Sequence, residues 1–406
     1  MDITVKTGTD VGANNHSPIH SPIHSPIHPP IHPPTRSPGL SPTPQVRPSN
    51  PIPVGILGAT GAVGQRFVEL LSDHPWFEIA EVTASDRSAG KEYRAAARWR
   101  GDREMPDAAA RLEVKPTEPG LDCRVVFSSL PAEEAVDVER RFAEAGYIVI
   151  SNSSAHRMGA SIPLLIPEVN PEHLALVRLQ PTFESGGMIV TNPNCSTVGL
   201  VSALKPLHDA FGLEAVQVTT LQALSGAGYP GVASLDIVGN VIPHIAGEEG
   251  KLESEPLKLL GTLENDGICA ANFKVSAQCN RVPVLDGHLL CVSAKFESAA
   301  GPHDVVDAIR SYEVPQVIRG LPSASAEFLR VFEDDDSPQP RRHVGLGAGM
   351  TVSVGRVRKC EVFDVRFIVL VHNTIRGAAG GAILNAELVV TSEVLGPGSE
   401  VRSLAH

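Results

Sequence analysis

Residues 54–71 read VGILGATGAVGQRFVELL: a short apolar run, a glycine turn, then apolar positions at helical spacing. Gly58, Gly61 and Gly64 fall between the strand and the helix in a GxxGxxG spacing rather than GxGxxG. Without side chains, a backbone can approach a pyrophosphate, and the following helix N-terminus faces its charge. Turn glycines alone are weak evidence, because many serve only positive φ; the strand and helix around them raise the dinucleotide reading. Working outward, strands are expected at 78–84, 125–128 and 147–150, the last two separated by a helix over 132–145. Alternating strands and helices predict a parallel, doubly wound sheet.

The end of the second strand helps to choose the nucleotide. Here the chain reads Ser85-Asp86-Arg87-Ser88-Ala89-Gly90-Lys91. Arg87 and Ser88 suit the 2′-phosphate of NADP, although Asp86 is the acidic residue expected of an NAD site. The competing reading is a solvated turn in which Arg87 neutralises Asp86. NADP is the expectation.

Beyond Cys195 the texture changes. A helix is predicted over 196–211, ending at Gly212, with Pro206 expected to bend it or break its ladder. Long alternating segments at 289–296, 350–358 and 364–372 predict a mixed or antiparallel sheet in a second domain. A final helix over 378–388, rich in small residues at its start, is expected to return to the first domain.

The stretch Asn192-Pro193-Asn194-Cys195-Ser196-Thr197 puts a cysteine at the mouth of that helix, behind an asparagine able to cap free N–H groups. The helix dipole favours a thiolate there. Most cysteines are inert packing, which is how Cys279 and Cys291 read. Downstream lie Gln222, Arg281, suited to a substrate carboxylate, and His288, suited to acid or base work near neutral pH. An Asp286-Gly287 turn would bring His288 back beside Arg281. Ordinary surface contact remains the bland alternative for His288.

Composition bounds the rest. The 406 residues carry 34 Lys and Arg against 46 Asp and Glu, a formal charge of −12, which argues against nucleic acid as a partner. No apolar run approaches the roughly 20 residues of a bilayer span, so a soluble protein without a membrane is expected. Six cysteines show no CxxC pairing, so no metal site and a reducing cytoplasm are the expectations. Residues 1–50 hold 11 of 34 prolines, no aromatic residue and histidines at 20, 24, 28 and 32. They read as a disordered low-complexity extension without function, weak metal binding being the alternative.

With GATGAVGQ, SDRSAGK, NPNCSTVGL, QALSGAG, GEEGKLESEPLK, CNRVPVLDGH and NTIRGAAG in this order, the chain resembles the aspartate-semialdehyde dehydrogenases, most closely their fungal and archaeal branch. The resemblance runs from about residue 53 to 390. It implies an α/β fold: an N-terminal Rossmann-type NADP-binding domain (51–194 with 373–406) plus a C-terminal α+β catalytic and dimerisation domain (195–372), assembled as a homodimer or homotetramer.

By resemblance Cys195 is the nucleophile, His288 the acid/base, Gln222 the residue orienting the acyl group and Arg281 the carboxylate anchor. Glu248 and Lys251 match a pair meeting the substrate amine and phosphate, with Glu249 the alternative if the register slips. Alone, Glu248 and Lys251 would read as a helix-surface ion pair. Arg157 in SAHRM matches a second phosphate-binding position. Thr60, Gly61, Ala62, Val63, Arg87, Ser88, Ser225, Gly226 and Asn373 match NADP positions.

The implied reaction is NADPH-dependent reductive dephosphorylation of L-4-aspartyl phosphate through a cysteine thioester, in the biosynthesis of lysine (through diaminopimelate), threonine, methionine and isoleucine. Alternatives are a reductase of another activated acyl compound, N-acetylglutamyl phosphate or malonyl-CoA, and a noncatalytic homologue.

Overall fold

The computed structural model describes residues 50–395. The readings made for residues 1–49 and 396–406 lie outside the described residues.

Strand β1 (Ile52–Leu57) leads into helix α1 (Ala62–Leu71), then β2 (Phe77–Ala84), β3 (Val114–Pro116), β4 (Val125–Ser128), α2 (Ala132–Glu144), β5 (Ile148–Ser151) and β6 (Met188–Thr191). The sheet order is β3-β2-β1-β4-β5-β6 with every pair parallel. This is the doubly wound order, whose switch point between β1 and β4 opens a crevice at the strands' carboxyl ends. Period-two alternation is used on both faces. Val54, Ile56, Val125, Phe127, Ile148 and Ile150 join one core with Phe67 and Leu71 of α1. Leu57, Val126 and Val149 join another with Ala135 and Phe142 of α2. Near-continuous apolar strands are what a two-sided sheet requires.

Helix α3 (Cys195–Phe211) starts a residue earlier than expected, and it continues on both sides of Pro206. Pro206 loses one ladder bond, but Leu200, Val201, Leu204 and Leu207 bury the helix in the second core and hold it together. After it come β7 (Leu213–Gln222), α4 (Glu248–Leu259), a hairpin of β8 (Thr262–Glu264) and β9 (Gly267–Cys269), β10 (Lys274–Arg281), β11 (His288–Phe296), α5 (Pro302–Arg310), β12 (Leu329–Phe332), β13 (Val352–Lys359) and β14 (Val365–Val371).

The second sheet, β10-β7-β11-β14-β13-β12, is mixed: its outer pairs are parallel and its three central pairs antiparallel. Leu290, Val292, Ala294 and Phe296 of β11 face α3, α4 and α5, whereas Cys291 lies exposed on the uncovered face. A π-turn, Ile375–Ala379, then leads into α6 (Gly380–Thr391), which returns to the first sheet through Ala382, Ile383 and Leu384. No helix among the described residues is long and apolar enough to cross a membrane.

Candidate functional site

The glycine turn fits a dinucleotide phosphate on its own geometry. Gly58 has φ 76°, a conformation that favours glycine. A Cβ on Gly64 would run into the Gly58 carbonyl and lie 2.7 Å from the Ala59 Cα, so only glycine lets α1 approach β1 this closely. The cleft above holds about 460 Å³, with Gly58, Thr60, Gly61, Ser85, Asp86 and Ser129 in its wall. Of the residues expected at the cofactor, Thr60 and Gly61 line the cleft, and Ala62 and Val63 open α1 beside it. Arg87 and Ser88 follow in the turn after β2 without forming the wall, and Arg87 is exposed.

The cysteine site is built where α3 begins. Asn194 accepts hydrogen bonds from Ser196 N (2.9 Å) and Thr197 N (3.3 Å) through Oδ1, capping the helix and setting Cys195 on its first turn. The Cys195 Sγ lies 3.2 Å from His288 Nε2. His288 is the first residue of β11, and its Nδ1 accepts from the Ala223 N–H at 3.1 Å. A neutral imidazole with an accepting Nδ1 carries its proton on Nε2. The backbone of Ala223 therefore aims a donor at the sulfur.

Burial first, and the Arg281 charge second, push the His288 pKa down to about 3. Burial, followed by Glu248, pushes the Cys195 thiol up to about 12, against the pull of Arg157, the Ser196 N–H and Arg281. The helix-end pull expected from the sequence is among these, through the Ser196 N–H. The dipole acts, but losing solvent outweighs it.

Around this pair the other expected residues converge. Arg281, buried and with a pKa lowered by burial, donates Nη1 to the Ala223 carbonyl at 2.7 Å. A Cβ on Gly226 would sit 3.0 Å from His288 Cε1 and 3.1 Å from Arg281 Nη1, so a side chain there would press on both groups. Ser225 accepts from Asn373 Nδ2 at 2.8 Å, and Asn373 Oδ1 accepts from Gly287 N at 2.9 Å, tying the turn before His288 to the chain entering the π-turn.

On α4, the Glu248 carboxylate takes Asn194 Nδ2 (2.9 Å), Gln222 Nε2 (3.3 Å) and Lys251 Nζ (2.9 Å). Burial works against its charge, yet Lys251 and the bonds from Asn194 and Gln222 hold its pKa below the usual range. Glu249 instead accepts from Cys279 N on β10 at 3.1 Å, so Glu248 is the member of the pair that faces the cysteine's cap. Arg157 donates Nη1 to Glu255 (2.9 Å) and Nη2 to the Asn152 carbonyl (2.8 Å), while its buried Nε has no partner among the described residues. No cluster of potential metal ligands occurs among the described residues.

Two buried features were missed in the sequence. Arg376, in the π-turn, pairs bidentately with Glu168 at 2.8 Å on both arms. Next to it, a Cβ on Gly377 would lie 2.7 Å from Cys195 Cβ. A lone arginine among the small residues of NTIRGAAG was a readable sign of a buried charge needing a partner, but its partner is 208 residues away. The second missed feature is Glu255 with Lys258, at the end of the quoted α4 stretch.

Comparison with known proteins agrees with this architecture. The family description "semialdehyde dehydrogenase, NAD binding domain" matches residues 53–177, and "semialdehyde dehydrogenase, dimerisation domain" matches residues 204–376. With the doubly wound sheet and glycine cleft, this defines a two-domain, nicotinamide-dinucleotide-binding dehydrogenase.

The chain is 49% identical to aspartate-semialdehyde dehydrogenase of Archaeoglobus fulgidus over 344 residues, 84% of this chain and 99% of that one. It is 46% identical to the Schizosaccharomyces pombe protein of the same name, over 83% of this chain and 97% of that one. The crystal structure of aspartate-semialdehyde dehydrogenase with NADP from Candida albicans superposes with a TM-score of 0.79 at 43% identity, covering 85% of this chain and 100% of that one. The chain belongs to the aspartate-semialdehyde dehydrogenase family, and it is an enzyme of that kind.

Proposed function

We propose that the protein reduces L-4-aspartyl phosphate to L-aspartate 4-semialdehyde through a thioester on Cys195, with NADP as its nucleotide. The observation that carries this reading is the 3.2 Å approach of Cys195 Sγ and His288 Nε2, enclosed by Arg281, Arg157 and the Glu248–Lys251 pair. Arg281 suits the substrate α-carboxylate, and Glu248 its amine. Arg157 and Lys251 suit the phosphoryl oxygens. That donor set matches an amino-acid acyl phosphate better than a malonyl or N-acetylated substrate, which has no free amine for Glu248.

The steps follow from these placements. The Cys195 sulfur attacks the acyl carbon, the carbon–oxygen bond to phosphate breaks, and the leaving phosphate is neutralised between Arg157 and Lys251. The thiol proton goes to solvent, because His288 Nδ1 is occupied by Ala223 N–H and its Nε2 already carries hydrogen. That Nε2–H holds the thiolate and then faces the oxyanion of the tetrahedral adduct, a donor's part in place of the acid/base part that the resemblance implies for His288. Gln222 fixes the acyl group. NADPH, when bound in the glycine cleft, supplies the hydride that reduces the thioester carbonyl. Collapse of the thiohemiacetal alkoxide breaks the carbon–sulfur bond and releases the aldehyde, and the departing thiolate, held by His288 Nε2–H, takes a proton back from solvent so that Cys195 is again a thiol.

Thr60 to Val63 would hold the pyrophosphate, Arg87 and Ser88 the 2′-phosphate, and Ser225, Gly226 and Asn373 the nicotinamide end. The product would feed the aspartate-derived amino acids. The Candida albicans relative binds NADP, which supports the cofactor choice. Turnover of aspartate semialdehyde with phosphate and NADP tests the reading; absence of phosphate-dependent NADPH formation would remove it.

A further inference from the structure

Helix α4 places four charged residues at 248, 251, 255 and 258, spacings of three, four and three that lie along one helical face. The first two form the pair beside the cysteine's cap. The last two have no role in the chemistry above, yet both are buried. Charged side chains are rarely buried without a reason that outweighs their desolvation.

Glu255 uses each carboxylate oxygen once. Oε1 accepts from Arg157 Nη1 at 2.9 Å, and Oε2 accepts from the backbone N–H of Asn194, the residue before Cys195, at 2.7 Å. One carboxylate thus joins the arginine to the start of the nucleophile's helix. Lys258 donates all three of its ammonium hydrogens to backbone carbonyls, those of Arg157 (2.7 Å), Gly159 (2.8 Å) and Ile162 (2.7 Å). It therefore fixes the loop that carries Arg157. Held through Nη1 and Nη2, Arg157 keeps Nε unpartnered.

We infer that Glu255 and Lys258 are positioning residues that hold Arg157 in register with Cys195, so that the phosphoryl oxygens are gripped at a fixed distance from the attacking sulfur. The inference rests on the proposed role of Arg157 toward phosphate. Neither residue touches substrate; both act through Arg157. In Glu255→Gln one acceptor oxygen becomes an NH₂ group, and whichever way the amide turns, that group faces a donor, either Arg157 Nη1 or Asn194 N–H. The clamp is lost with almost no change of shape. Glu255→Asp keeps both acceptors but shortens the reach.

The experiment uses inorganic phosphate as the probe on the full chain. Phosphate protection of Cys195 against iodoacetamide is followed by peptide mass spectrometry, which reads oxyanion binding without turnover. Steady-state constants for phosphate and NADP are measured alongside. Expected results are a half-protecting phosphate concentration and a phosphate KM raised at least about ten-fold in Glu255→Gln, equivalent to about 1.4 kcal/mol, with the KM for NADP unchanged. Glu255→Asp should fall between the two, and it carries the test if the glutamine variant does not fold.

Glu253→Gln is the control. Its carboxylate takes Ala277 N on β10, away from Arg157, and phosphate binding should not move. A lowered melting temperature in Glu255→Gln with wild-type phosphate protection would make Glu255 merely structural and overturn the inference. Wild-type protein that phosphate does not protect would overturn it as well. The dehydrogenase reading is judged separately, by whether the wild type turns over aspartate semialdehyde at all.

Discussion

At the scale of single residues, the site is a neutral cysteine and a neutral histidine whose hydrogen placement is dictated by one backbone N–H. With the Cys195 thiol raised to about 12, the thiolate fraction is small at neutral pH and grows about ten-fold per pH unit. Alkylation of Cys195 in the ligand-free protein should therefore climb from pH 7 to pH 10 with no plateau. A plateau near pH 7 would show a thiolate–imidazolium ion pair instead. The rate must be read peptide by peptide, because Cys269 and Cys291 are exposed and backbone N–H groups of Phe363 and Val362 lower the Cys360 pKa.

Gly377 supplies a second test at this scale. An alanine there would place Cβ 2.7 Å from Cys195 Cβ and 2.9 Å from its Cα, closer than carbon atoms tolerate. Overpacking of this kind costs about 1–3 kcal/mol, and a shift of the sulfur by about 1 Å costs on the order of 100-fold in rate. Gly377→Ala should lose kcat while its KM for NADP stays near wild type. Unchanged kcat would show that the π-turn yields rather than the cysteine.

At the scale of elements, most of what positions the site was legible. The glycine turn, the parallel strands and the apolar alternation of β11 and β14 follow from period and turn chemistry, and the structure places them within a few residues of expectation. Pro206 interrupts the ladder of α3 as local propensity predicts, and burial of the helix in the second core keeps it continuous on either side. The helix-end pull on Cys195 was legible, whereas its balance against burial and the Glu248 charge depends on residues that only the fold brings together. Glu168 and Arg376 escaped notice because long-range pairing of buried charges leaves no periodic trace.

That pair makes an element-scale prediction. Glu168→Gln leaves the Arg376 guanidinium buried at 1% exposure without its counter-charge, and breaking such a pair costs about 3–5 kcal/mol. Urea denaturation should show a loss of that size. A change within about 0.5 kcal/mol would mean that the π-turn holds Gly377 against Cys195 without the ion pair.

At the scale of the whole molecule, the two sheets serve different ends. The first is covered on both faces and presents its strand ends to the nucleotide. Among the described residues the second is covered on one face, and the dimerisation-domain match spans it. Large apolar side chains stand out on the segment after β7, Leu235 at 94% exposure and Val238 at 73%. Residues this exposed are expected at a contact between subunits. Leu235→Glu together with Val238→Lys should shift sedimentation toward a smaller species, and an unchanged assembly would place the contact on the open sheet face instead.

The central claim is that Cys195 carries the acyl group. Intact and peptide mass spectrometry after mixing the protein with aspartate semialdehyde and NADP, with phosphate withheld, tests it most directly. The account predicts one equivalent of NADPH per active site and an aspartyl adduct on Cys195 that disappears when phosphate is added. NADPH formation with no adduct on Cys195, or an equal burst from Cys195→Ser, would contradict it.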